Sequence, residues 1–292
     1  MRNMENLKLT VGWLYPELMS TYGDRGNIIC MRKRCEWRGI EFEVVPIDQN
    51  TTESDFKRIS MIFGGGSQDR QQEIVMRDLK DKKDVIKDKI EIGTPALFVC
   101  GSPQLMGKYY EPAEGQRIDG VGVFDMVSKH PGKGANRCIG NIVAEVNWES
   151  LDGKGLRSSY RSSSKVSSDV SSSETVSRHN SAEQKYIVGF ENHGGRTYLG
   201  EEVKPFAKVI KGYGNNGEDG TEGVVYKNAI GCYFHGPLLP KNPHIADWII
   251  QKTLEVAYQE SVTLESLDDT LEWQAHRFMV DRLAKDLVQY DL

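Results

Sequence analysis

The chain is poor in cysteine. Cys30, Cys35, Cys100, Cys138 and Cys232 are an odd set of five scattered over 292 residues, which does not read as a disulfide framework. Cys30 and Cys35 lack a second close pair and neighbouring histidines, so no metal site is expected. Long apolar runs are missing too. No stretch of roughly 18 apolar residues occurs, so no transmembrane helix is expected. Met1-Arg2-Asn3-Met4-Glu5-Asn6 lacks the apolar core of a secretion signal. A basic excess is absent as well: 37 Lys and Arg face 42 Asp and Glu, a net charge of −5. That balance argues against non-specific binding to nucleic acid or anionic membrane. These absences point to a reduced, cytoplasmic protein in which single thiols matter.

What is present is an α/β rhythm. Lys8 to Trp13 reads as a strand, Ile28 to Arg38 as a helix ended by Gly39, and Glu41 to Ile47 as a second strand. Ser60 to Phe63 is a short buried strand running into Gly64-Gly65-Gly66, and Asp69 to Ile90 reads as one long amphipathic helix. Pro95 to Val99 is a further buried strand, followed at once by Cys100-Gly101, with a short helix expected over Leu105 to Tyr110. Near-continuous apolar strands alternating with helices imply a mostly parallel central sheet covered on both faces.

The second half reads as strands over Val121–Val127, Ile139–Val146, Tyr186–Phe190, Ala207–Ile210, Gly223–Tyr226 and Ala229–Phe234, closed by a helix over Pro243–Tyr258. Arg157 to Gln184 is crowded with serine and short of large apolar residues, so a flexible insertion of about 157–184 is expected; a serine-rich strand pair is the alternative. The expected division is a domain over 1–262 and a helical C-terminal tail over 263–292. Leu271, Trp273, Phe278, Met279, Leu283, Leu287 and Val288 make that tail amphipathic. It either packs on its own domain or forms an interface with a partner.

The sharpest chemical signal is Leu97-Phe98-Val99-Cys100-Gly101, a cysteine between an apolar strand and a helix, in the manner of a nucleophile elbow. A helix N-terminus beside the sulfur suits an anionic nucleophile. N–H groups around Gly101 can hold an oxyanion. The plainer reading of Cys100 is a buried structural thiol. A thiol nucleophile needs a base. His235 follows an apolar strand, at the sheet edge where parallel sheets place their sites, and His193 competes with it. His130, His179, His244 and His276 fall in polar or helical contexts and are expected to be solvated. Gly64-Gly65-Gly66 lacks the spacing of a nucleotide loop and is better suited to an oxyanion hole or a plain turn.

Jointly, several motifs carry a resemblance. They are Tyr22-Gly23-Asp24-Arg25-Gly26-Asn27, Gly64-Gly65-Gly66-Ser67-Gln68-Asp69-Arg70, Cys100-Gly101 with Gln104, Glu191-Asn192-His193-Gly194-Gly195-Arg196-Thr197, Gly212-Tyr213-Gly214-Asn215-Asn216 and His235-Gly236-Pro237. The chain resembles class I, triad-type glutamine amidotransferases of the cobyric acid synthase-like group. Within that group it is most similar to glutaminase subunits of bacterial lipid II isoglutaminyl synthases. The resemblance implies Cys100 as nucleophile, His235 as base and Asp24 as third member, since the acidic residue other triad enzymes carry two positions after the histidine is here Pro237. A helix cap is the alternative for Asp24. Arg137 is implied to bind the glutamine substrate, with a surface arginine as the alternative, and Gly65, Gly101 and Gln104 complete the substrate site.

The resemblance further implies ammonia transfer to a Mur-ligase-like (MurT-like) subunit in a heterodimer that amidates lipid II. It implies no cofactor in this subunit, with ATP and Mg held by the partner. A decayed scaffold and a cobyrinate-type acceptor are the alternatives. One departure stands out: the family's Cys-Gly-Gly-Tyr-Gln is here Cys100-Gly101-Ser102-Pro103-Gln104, and Ser102 is expected to strain the turn.

Overall fold

The computed structural model describes residues 7–152 and 183–285. The serine-rich segment expected to be flexible lies, apart from its last two residues, outside the described residues. A six-stranded sheet forms the centre. Its strands are β1 (Lys8–Leu14), β2 (Glu41–Ile47), β3 (Met61–Gly64), β4 (Ala96–Val99), β13 (Val224–Tyr226) and β14 (Ala229–Cys232), in the order β13-β14-β4-β3-β1-β2. Every pairing is parallel except β13 with β14. The strands Met61–Gly64 and Ala96–Val99 are buried at every position, as strands covered on both faces must be. Helices α1 (Arg25–Glu36), α2 (Glu53–Arg58), α3 (Asp69–Leu79), α4 (Lys83–Glu91) and α5 (Gly101–Met106) connect them.

Two four-stranded sheets extend this centre. One joins β5 (Tyr109–Glu111), β6 (Ile118–Asp119), β7 (Met126–Lys129) and β10 (Arg196–Leu199) in the order β10-β7-β5-β6. The other joins β8 (Cys138–Val146), β9 (Tyr186–His193), β11 (Ala207–Lys211) and β12 (Thr221–Glu222) in the order β12-β11-β8-β9, all antiparallel. The remaining helices are α6 (Trp148–Asp152), α7 (Pro243–Tyr258) and α8 (Thr270–Ala284).

Three expectations are corrected. The helix over Asp69–Ile90 is broken by a 3-10 turn at Lys80–Lys82. Five charged residues in succession, Lys80 to Asp84, give that turn nothing to bury. The helix near the cysteine runs over Gly101–Met106 and not Leu105–Tyr110; all its residues are buried, so no amphipathic pattern marks it. Val121–Val127 is not a strand over its length. The N–H groups of Val121, Val123 and Phe124 instead satisfy the carbonyls of Leu105 and Met106 at the end of α5.

Helix α8 lays Trp273, His276, Val280 and Ala284 inward. Val280 and Ala284 pack with Val143, Tyr186 and Val188 of the β8–β9 pair. Leu271 and Phe278 face outward and are exposed. A buried ionic network anchors the approach to this helix. Arg34 on α1 makes paired bonds to Asp247 at 2.7 and 2.8 Å and to Asp269 at 2.5 and 2.8 Å, and Arg38 adds a bond to Asp247 at 2.8 Å. His244 and His276, expected in solvent, are buried against Trp273. His244 stacks on it at 5.2 Å, and His276 meets it edge-on at 5.3 Å.

Candidate active site

The elbow forms as its sequence suggests. Cys100 follows β4 directly in a conformation, φ 55° and ψ −97°, that a side chain adopts only at a cost of about 1–3 kcal/mol. The surroundings hold it there. The Cys100 N–H donates to the Cys232 carbonyl at 2.8 Å, tying the turn to the neighbouring strand. The Ser102 hydroxyl donates to the Gly65 carbonyl, so it staples the start of α5 to the glycine loop. Ser102 therefore braces the elbow; the strain expected of it falls on Cys100 instead, which holds the positive φ.

His235 is carried just beyond β14, and β9 fixes its backbone: its N–H donates to the Phe190 carbonyl at 2.6 Å and its carbonyl accepts from the Phe190 N–H at 3.2 Å. The ring is fully buried. Its Nδ1 lies 3.1 Å from Asp24 Oδ1, while Asp24 Oδ2 accepts the Gly66 N–H at 2.6 Å. Asp24 stands at the N-cap of α1, yet its side chain makes no capping bond. Its carboxylate is spent on orienting the imidazole. Nε2 of His235 has no hydrogen-bond partner, and Cys100 is the other group acting on the ring. Burial alone would depress the imidazole, but its interactions with Cys100 and with the Asp24 carboxylate reverse this and raise it to about 10. Tyr22 covers the ring edge-on at 4.9 Å.

Gly66 allows this closeness. A Cβ there would stand 2.8 Å from His235 Cε1 and 3.3 Å from Cys100 Cβ. Gly65, like Gly101, is not among the residues lining the cavity. It is packed behind the wall, where a Cβ would lie 2.4 Å from the Met19 carbonyl oxygen and 3.2 Å from Asp24 Cβ. Gly101 is the first residue of α5, so its N–H has no acceptor within the helix. The competing base, His193, is tied up elsewhere. It stacks on Tyr233 at 3.8 Å, its Nδ1 pairs with the Gly195 carbonyl at 2.8 Å, and burial holds its ring below the usual value. The other thiols are unsuited to attack. Burial pushes Cys30 and Cys35 up to about 12, Cys138 to about 11 and Cys232 well above its ordinary value.

Cys100 opens into a cavity of about 460 Å³ lined also by Gln104, Arg137, Tyr22, Gln72 and Asp69. Arg137 sits at its exposed rim, where Nε donates to Asn192 Oδ1 at 2.9 Å and a terminal nitrogen donates to the Asn192 carbonyl at 3.0 Å. Gln104 is fixed from both sides. Its amide oxygen accepts from Gln72 Nε2 at 2.9 Å, and its amide nitrogen donates to the Tyr233 hydroxyl at 3.1 Å. The chain continues through Thr197 and Ser128, hydroxyl to hydroxyl, at 2.6 Å each. The sequence pointed to Gln104 but not to the residues that hold it. Only Gln72 had a readable signal, three residues after Asp69 and so on the same face of α3.

A strained thiol at a sheet edge, an imidazole facing it and a carboxylate orienting that imidazole define a site for covalent, thiol-dependent acyl chemistry. The model of the CobB/CobQ-like glutamine amidotransferase domain matches residues 10–243, and the chain belongs to that family. It is 34% identical over 277 residues to the Staphylococcus aureus (strain N315) protein named lipid II isoglutaminyl synthase (glutamine-hydrolyzing) subunit GatD, covering 94% of this chain and 96% of that one. The Streptococcus pneumoniae (strain ATCC BAA-255 / R6) protein of the same name is 34% identical over 266 residues, covering 90% of this chain and 87% of that one. Among solved structures, a glutamine amidotransferase superposes with a TM-score of 0.51 at 14% identity, covering 83% of this chain and 98% of that one, a likeness of fold.

Proposed function

We propose that this chain is the glutamine-hydrolysing subunit of a lipid II isoglutaminyl synthase. The observation that carries the reading is the Cys100–His235–Asp24 alignment, with Cys100 opening into a cavity that Arg137 also lines. Arg137 takes the α-carboxylate of L-glutamine in a charge-assisted pair. The Cys100 sulfur attacks the side-chain carboxamide, and the Gly101 N–H faces the oxyanion that forms. His235, held protonated, gives its proton to the departing ammonia. It then takes one from water, which releases glutamate from the thioester. Asp24 holds the ring in place and stabilises its charge throughout. Gln104 shapes the wall against which the substrate lies. No step requires a cofactor from this chain.

The resemblance to subunits named GatD supports a consumer for the ammonia. That consumer is a Mur-ligase-like partner that uses ATP and Mg to activate the D-glutamate α-carboxylate of lipid II, giving D-isoglutamine. Lipid II is handled by the partner, and among the described residues no helix is long and apolar enough to cross a membrane. The test is to purify the chain from its native cell, identify the protein bound to it, and assay the pair for ATP-dependent amidation of lipid II with glutamine as donor. A bound Mur-ligase-like chain and amidation that stops when Cys100 is replaced are the expected results. Amidation of a corrinoid in place of lipid II would overturn the acceptor.

A further inference from the structure

Asp69 is the one acidic side chain among the described residues lining the cavity. It begins α3, and the Tyr110 hydroxyl holds it by donating to Oδ1 at 3.0 Å. The other charged groups on the wall, Arg70 and Arg137 with His130 beside them, are cationic or able to become so. Yet no ion pair joins Asp69 to any cation among the described residues. One turn further along the same face of α3 lies Gln72, 1% exposed, whose amide oxygen is buried without a hydrogen-bond partner.

Its amide nitrogen is already committed to Gln104, so the oxygen is the end of the Gln72 amide left over. The wall of α3 thus presents two acceptors: a carboxylate that receives one hydroxyl, and a buried amide oxygen that receives no donor from the protein. A buried acceptor left unmade is costly, and its presence beside a nucleophile marks a place for a ligand donor.

The proposed substrate supplies such a donor. Glutamine is a zwitterion, and Arg137 accounts only for its carboxylate. We infer that Asp69, supported by Gln72, receives the α-ammonium group of the substrate and restricts this site to free amino acids bearing a terminal carboxamide. The inference rests on the glutaminase reading and adds the selection of the amine. Asp69 is a specificity-determining residue: it binds the end of the substrate remote from the bond that breaks. Its loss therefore weakens ground state and transition state alike, raising KM and sparing kcat.

The experiment uses the full chain together with the partner purified with it. Ammonia release is measured from L-glutamine and from 4-carbamoylbutanoate, which keeps the carboxylate and carboxamide but lacks the amine. Wild type, Asp69→Asn and Asp69→Glu are compared. Asp69→Asn is expected to raise the KM for glutamine by about 10- to 100-fold, the worth of one hydrogen bond to a charged group, with kcat nearly unchanged. The same variant should handle 4-carbamoylbutanoate as the wild type does, and Asp69→Glu should recover part of the loss. An unchanged glutamine KM in Asp69→Asn, or an equal loss on both substrates, overturns the inference and leaves the glutaminase reading standing. A wild-type complex that releases no ammonia from glutamine overturns both.

Discussion

Acidification should loosen the C-terminal helix through His276. This ring is buried in α8 with Nδ1 2.9 Å from the Lys241 carbonyl, to which it donates, while its Nε2 has no partner. Burial, the largest influence, lowers it from 6.5 to about 4, despite the opposing effect of the bond to Lys241; neighbouring Arg277 adds to the lowering. A depressed value means that the unfolded chain binds the proton more readily. The contribution is therefore intact above about pH 6.5 and is lost as pH falls toward 4. The interval is worth about 3 kcal/mol in full and about 2 kcal/mol by pH 5.

For a chain of this length, 2 kcal/mol corresponds to about 3 °C in melting temperature. His244, buried 5.7 Å away with its ring also depressed, adds to the loss in the same direction. The assay is the melting temperature of wild type and His276→Gln at pH 7 and pH 5. Glutamine can keep the bond to Lys241 but cannot be protonated. The wild type should lose about 3 °C more than the variant between the two values. Parallel losses would refute the reasoning.

Other outcomes follow from the same geometry. Asp24→Asn should leave the melting temperature nearly unchanged and lower glutamine turnover on the order of a thousand-fold or more, as the imidazolium loses its counter-charge; stopped assays of glutamate release check this. Gly66→Ala should abolish turnover, because the added methyl carbon would lie 2.8 Å from the His235 ring; a fully active variant would show that the loop yields freely. Asp247→Ala should cost about 3–5 kcal/mol by leaving Arg34 and Arg38 buried with too little counter-charge, which urea unfolding measures.

Much of the central sheet was legible because its strands are short apolar runs punctuated by glycine and proline. The strand over Glu41–Ile47 and the helix over Pro243–Tyr258 fall where their patterns place them. The peripheral strands were less so. The strands of the sheet around Met126–Lys129 are only two to four residues long, too short to display a period. Cys100 announced itself by its place between strand and helix. Asp24 did not, for its own surroundings suggest a cap, and its partner lies 211 positions away. His244 and His276 were misplaced for a related reason. Each is covered by aromatic rings brought from another part of the chain, Trp273 against His244 and His244 against His276, which neither helix's own sequence reveals. The hydroxyl chain behind Gln104 draws on three separate segments, and no local pattern joins them.

Everything proposed for this site turns on Cys100 forming a covalent acyl intermediate with glutamine. The most direct measurement mixes the chain with L-glutamine, quenches in acid within the first turnovers, and maps the adduct by peptide mass. A γ-glutamyl thioester is expected on the peptide carrying Cys100, absent from Cys100→Ala and unaffected by Cys232→Ala. Hydrolysis that proceeds in Cys100→Ala, or an adduct on the peptide carrying Cys232, would contradict it.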